Sequence, residues 1–110
     1  MVSATSHFDL WLQDAEERTG ELELRGALGE VARLASKAYG TRLWFAEVLG
    51  RRWSYIVGER PEQPALSAVQ RVPLGRGIGL VSDTWGSLSG DEVACLIDFL
   101  GRLVASKGSP

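Results

Sequence analysis

A nucleophilic pair in this chain would have to be made by Cys95 and His7, the only cysteine and the only histidine among 110 residues. Such a pair needs the base within hydrogen-bond reach of the nucleophile and a third group to orient the base. The two residues fall at separate helix ends with no orienting residue beside either, and a lone helical cysteine usually serves as a small hydrophobe. One cysteine and one histidine also fall short of the ligand count of a zinc site. Asp91 and Glu92 are absorbed by a helix start and Asp83 by a turn, which leaves no paired carboxylates for acid–base work. The expectation is no catalytic residues, no metal and no cofactor.

Two other patterns bear on binding. Leu74-Gly75-Arg76-Gly77-Ile78-Gly79 is glycine-rich, and glycines at a strand end let a phosphate approach the backbone. A dinucleotide fingerprint, however, needs its glycines to open directly into a helix, and a P-loop needs a following Gly-Lys-Ser/Thr. Read with period two, Gly75, Gly77 and Gly79 share one face of a strand, where they admit a bulky neighbour such as a tryptophan or relieve a bend. A small-ligand or nucleotide-sensing site would use Gly75, Arg76, Gly77 and Gly79 together with Trp85, the tryptophan of an exposed Thr-Trp-Gly-Ser loop. The second pattern is basic: Arg51, Arg52, Arg60, Arg71 and Arg76 lie near Trp53 and Tyr55. Guanidinium groups take phosphate and aromatics stack bases. Trp53 and Tyr55 are assigned to the core here, and the whole chain is acidic, so nucleic acid is not the expected partner.

The elements that must position these residues are marked in the sequence. Ser89-Gly90-Asp91-Glu92 is a capping box, followed by Val93, Leu96, Ile97, Leu100, Leu103 and Val104 at three- and four-residue steps, the stripe of a long amphipathic helix. Ser6 and Asp9 begin a short helix carrying Phe8, Trp11, Leu12 and Ala15. After a short strand or loop at Glu21 to Arg25, a third helical run extends from Gly26 to Gly40 with an alanine-rich face. Leu43–Leu49 and Arg52–Val57 flank Gly50-Arg51, a two-residue hairpin turn with glycine where a positive φ is needed. Ala65–Val72, stopped by Pro73, and Gly75–Asp83 read as two more strands.

The fold expected is therefore α+β: N-terminal helical segments, a four-stranded antiparallel meander, and a long C-terminal amphipathic helix packed on the sheet. Length fits a single domain over 1–110, with Met1 to Thr5 a disordered tail. Secretion-chaperone-like and roadblock-like domains share this outline, and no motif selects either. In the hairpin, Trp44, Ala46, Val48, Trp53, Tyr55 and Val57 share an uncharged side, which is expected to lie under the helices. Leu43, Phe45 and Ile56 are then left beside Glu47, Arg52 and Ser54 on the other side. Three large apolar side chains there form a patch that monomers seldom leave bare, so Leu43, Phe45, Ile56 and Arg52 are expected to form an interface.

Composition sets the remaining bounds. The chain is 45% hydrophobic and 24% charged, with net charge −2, as in ordinary globular proteins. Residues 1–30 carry a local −5 and residues 31–80 a local +5, which fits either acidic helices beside a basic sheet or a basic surface for an anionic partner. No apolar run is long enough to span a bilayer, and a single cysteine fits a reducing compartment, so a cytoplasmic protein is expected. The leading expectation is a non-enzymatic interaction module (adaptor, chaperone-like or regulatory subunit), forming a homodimer or binding another protein.

Overall fold

The structure, a computed structural model, describes residues 7–61 and 69–107. The expected tail at Met1 to Thr5 and the first part of the expected third strand, from Ala65, lie outside these residues. Helix α1 spans His7–Thr19, α2 Leu24–Tyr39, and α3 Gly90–Lys107; the strands are β1 Arg42–Leu49, β2 Arg52–Gly58, β3 Gln70–Gly75 and β4 Ile78–Thr84. The class is α+β, with an antiparallel four-stranded sheet.

The helices begin and end where side chains satisfy their free backbone groups. At α3 the Ser89 amide donates to Glu92 Oε1 at 2.9 Å and the Glu92 amide donates to Ser89 Oγ at 3.2 Å, the reciprocal capping box. Helix α2 starts two residues before Gly26, because the Glu23 carboxylate accepts from the Gly26 amide at 2.7 Å and acts as the N-cap. Of the two alternatives at Glu21 to Arg25 the loop holds for Glu21 to Glu23, while Leu24 and Arg25 already belong to the helix. Gly40, at φ 68°, closes α2 in the left-handed conformation that glycine adopts without strain.

The sheet order is β2-β1-β4-β3, which departs from a simple meander. Two hairpins, β1–β2 and β3–β4, lie side by side and are joined along β1 and β4. Gly50 takes φ 63° in the first turn, as its position requires. The second turn is Arg76-Gly77, with φ of 52° and 74°, and it joins Gly75 to Ile78. The glycine run is thus a hairpin turn and not one continuous strand. Pro73 does not end β3 but pairs within it, opposite Gly79. A proline is tolerated there because β3 is an edge strand.

All three helices lie on one side of the sheet: α2 packs on β1 and β2, α3 on β3 and against α2, and α1 against α2. The sheet residues beneath them are Leu43, Phe45 and Leu80, each 0% exposed, with Val57, Val72, Leu74 and Ile78 half-buried around them. Leu28, Val31 and Ala35 of α2 and Leu96, Leu100 and Val104 of α3 complete the core. This inverts the expected assignment of faces: Leu43 and Phe45 are core, not interface. Two physical features explain the inversion. The charges that marked their side as the outer one, Glu47 and Arg52, are exposed at the hairpin-turn end of the strands, beyond Phe45 and its cover. And Ile56 is a β-bulge: Ala46 pairs with Tyr55 and Phe45 with Val57, so Ile56 has no partner on β1. The bulge carries Val57 onto the Phe45 side, whereas unbroken alternation places it beside Trp44.

Candidate binding face of the sheet

Among the described residues no helix lies on the opposite face. Strand alternation puts Arg42, Trp44, Ala46 and Val48 of β1 there, with Trp53 and Tyr55 of β2, Gly79, Val81 and Asp83 of β4, and Arg71 of β3. At its centre is a shallow hollow of about 170 Å³ lined by Trp44, Ala46, Trp53, Tyr55, Arg60, Val69, Arg71 and Val81. Glycine shapes its floor. A Cβ on Gly79 would overlap the six-membered ring of Trp53, so the indole lies across β4 only because that position has no side chain. Gly58, at φ 124°, passes so close to the Trp44 backbone that a Cβ there would fall 2.5 Å from Trp44 Cα.

The rim is aromatic and basic. The Arg60 guanidinium lies 5.7 Å from the centre of the Tyr55 ring, and that of Arg71 lies 6.0 Å from the Trp53 ring, the cation–π distance range. Tyr55 is 46% exposed, and its hydroxyl donates to the Gly58 carbonyl at 2.9 Å. Arg42 instead forms a two-pronged pair with Asp83, Nε to Oδ1 at 2.8 Å and Nη2 to Oδ2 at 2.9 Å. Donating these hydrogen bonds to the Asp83 carboxylate raises the pKa of the Arg42 guanidinium above its ordinary value. The Asp83 side chain is only 2% exposed, so this carboxylate is neutralised within the face. Among the described residues no ion pair involves Arg60 or Arg71. The face therefore offers stacking surface, apolar contact and two unpaired planar cations.

The residues expected to hold a ligand do not converge. Gly75, Arg76 and Gly77 form the turn before β4, whereas Trp85 follows β4; seven strand residues at about 3.3 Å each hold them some 20 Å apart. Trp85 is half-buried against the core, and its indole Nε1 donates to Gln70 Oε1 at 2.8 Å. Only Gly79 lies on this face, as the seat of the Trp53 indole that lines the hollow. The arginines divide in the same way. Arg60 and Arg71 flank the hollow, while Arg51, Arg52 and Arg76 are exposed at the hairpin-turn end. Cys95 is exposed on α3 and His7 Nδ1 lies 3.2 Å from the Tyr39 hydroxyl. A second hollow, of about 340 Å³, lies between the ends of α1 and α3 over Phe99 and Leu103. There Lys107 Nζ donates to the Gly20 and Leu22 carbonyls at 3.1 and 2.8 Å, a cation at the carboxyl end of α1.

Compared with protein-family models, curated proteins and solved structures, the chain gives no match. No helix among the described residues is long and apolar enough to cross a membrane.

Proposed function

We propose that this chain is a non-enzymatic interaction module that works through the helix-free face of its sheet. The observation that carries the reading is the pair of arginine-capped rings, Arg60 on Tyr55 and Arg71 on Trp53, around a hollow on a face that no helix of the described residues covers. Tryptophan, tyrosine and arginine are the residue types that dominate binding energy at protein interfaces. Among the described residues the lining of the hollow holds no carboxylate, histidine or thiol, which favours binding as its chemistry. The interface moves from the expected set of Leu43, Phe45, Ile56 and Arg52, of which Leu43 and Phe45 are buried under the helices, to this second face, and the partner is another protein or a second copy of the chain. A cytoplasmic setting fits the exposed, unpaired Cys95.

A photo-cross-linker tests the reading directly. With Tyr55→benzoylphenylalanine expressed in the native host, discrete adducts are expected. They should vanish when Arg60→Glu and Arg71→Glu are added, while a cross-linker at exposed Leu10 on α1 gives a different pattern or none. Identical patterns from both positions would sink the reading. The hollow itself favours a second reading, a small anionic ligand. In that case tryptophan fluorescence would respond to a panel of carboxylates or nucleotides without any protein partner.

A further inference from the structure

On this reading of the sheet face, we infer that its partner is an acidic protein segment presenting a carboxylate beside an apolar side chain. Three guanidinium groups border the face. The chain supplies a carboxylate for one of them, Asp83 for Arg42, in two-pronged geometry and with the acid almost wholly buried. Arg60 and Arg71 have no such counterpart among the described residues and rest on ring faces instead. A guanidinium gains more from a bidentate carboxylate than from an exposed ring. An incoming Asp or Glu therefore draws the arginine off the ring and frees that ring for an apolar neighbour of the same segment. The Arg42–Asp83 pair is the chain's own example of the contact that the partner completes.

Size and charge select among anionic partners. Pockets that enclose a drug-sized molecule begin at about 300 Å³; the hollow here is about 170 Å³, enough for one anchoring side chain and too small to enclose a nucleotide. Nucleic-acid affinity rests chiefly on the number of phosphates that cations neutralise. Among the described residues this face has two arginines without an ion pair, and Arg51, Arg52 and Arg76 lie at the far end of the strands. An acidic peptide needs only the two charges and the two rings that are in place.

Selection from a library of short random displayed peptides tests the inference, with wild-type protein as bait and the Arg60→Glu/Arg71→Glu variant for counter-selection. Circular dichroism and melting should show the variant folded; Arg60→Gln/Arg71→Gln serves if it does not. Enriched peptides should carry Asp or Glu within two positions of an aromatic or aliphatic residue. Replacing that acid by its amide should weaken binding about tenfold or more, the loss of one charge-assisted contact. Enrichment of neutral or basic peptides, or of none, would overturn the partner assignment. If short single-stranded DNA or nucleotides then quench wild-type tryptophan fluorescence and not that of the variant, the partner class is wrong but the binding face stands. If wild type and variant respond alike to every probe and give the same cross-links, the binding face itself fails.

Discussion

Three residues show how tightly single positions are constrained. Gly79 is the seat of the Trp53 indole, and any side chain there must push the ring out. Gly79→Val is expected to cost about 1–3 kcal/mol, the usual range for overpacking, and to perturb tryptophan fluorescence as the indole moves. Denaturant titration followed by emission measures both effects. Phe45 is 0% exposed beneath α2, so Phe45→Ala should cost about 3–5 kcal/mol. Phe45→Glu should unfold the chain outright, not merely dissociate an oligomer; a folded, dichroic Phe45→Glu protein would refute the assignment of faces. Tyr39 gives a prediction with a pH axis. Burial, and secondarily the charge of Glu92, raises its phenol above the ordinary value. The folded state thus holds the proton more tightly than the unfolded chain, so this contribution is complete below about pH 10 and is lost as pH rises through the folded value. Stability should fall on the alkaline side, and Tyr39→Phe should flatten that limb, although it also removes the contact with His7.

At the level of elements, the helices were legible in the sequence and one half of the sheet was not. The capping box of α3 is made by the atoms that the motif names. Ser89→Ala is therefore expected to cost about 1 kcal/mol, and Leu100→Ala, fully buried in the stripe, about 2–5 kcal/mol. Chemical denaturation checks both. The Gly50-Arg51 turn fixed the first register correctly as far as Ala46 and Tyr55. The bulge at Ile56 left no mark, because nothing in Ser-Tyr-Ile-Val says that one residue will go unpaired. Counting charges along whole strands then chose the wrong face, since Glu47 and Arg52 lie at the strand ends and say little about what covers Phe45. Gly75 to Gly79 misled for a related reason: Arg76 accepts a left-handed φ of 52°, which residue type alone does not announce. Trp53, Tyr55, Arg60 and Arg71 stand in the sequence within a larger group that also holds Arg51, Arg52 and Arg76, and assigning the two rings to the core hides the role proposed for these four. The alternation that linked Trp44 to Trp53 was right about which residues share a side and silent about which side faces the helices.

The whole molecule is a single layer of helices on a sheet whose two central strands are distant in sequence. The seam between the hairpins pairs Leu43 with Ser82 and Phe45 with Leu80, positions about thirty-five to forty residues apart, whereas each hairpin closes over its own short turn. Ordering a long loop before any contact forms is the slow part of folding. The two hairpins should therefore form early, and their docking should set the rate. Leu80→Ala is expected chiefly to slow refolding and Ala15→Gly, in peripheral α1, chiefly to speed unfolding; stopped-flow chevrons separate the two. The native sheet guards its outer edges with Pro73 on β3 and the Ile56 bulge on β2. Until the seam closes, though, β1 and β4 are also edges, and they carry Leu43, Phe45, Leu80 and Val81 with neither proline nor bulge at their middles. Strands in that state invite pairing with other chains. Refolding yield should thus drop as protein concentration rises, even though the finished fold offers no comparable edge, and chains still emerging from the ribosome would meet this hazard until β4 has been made.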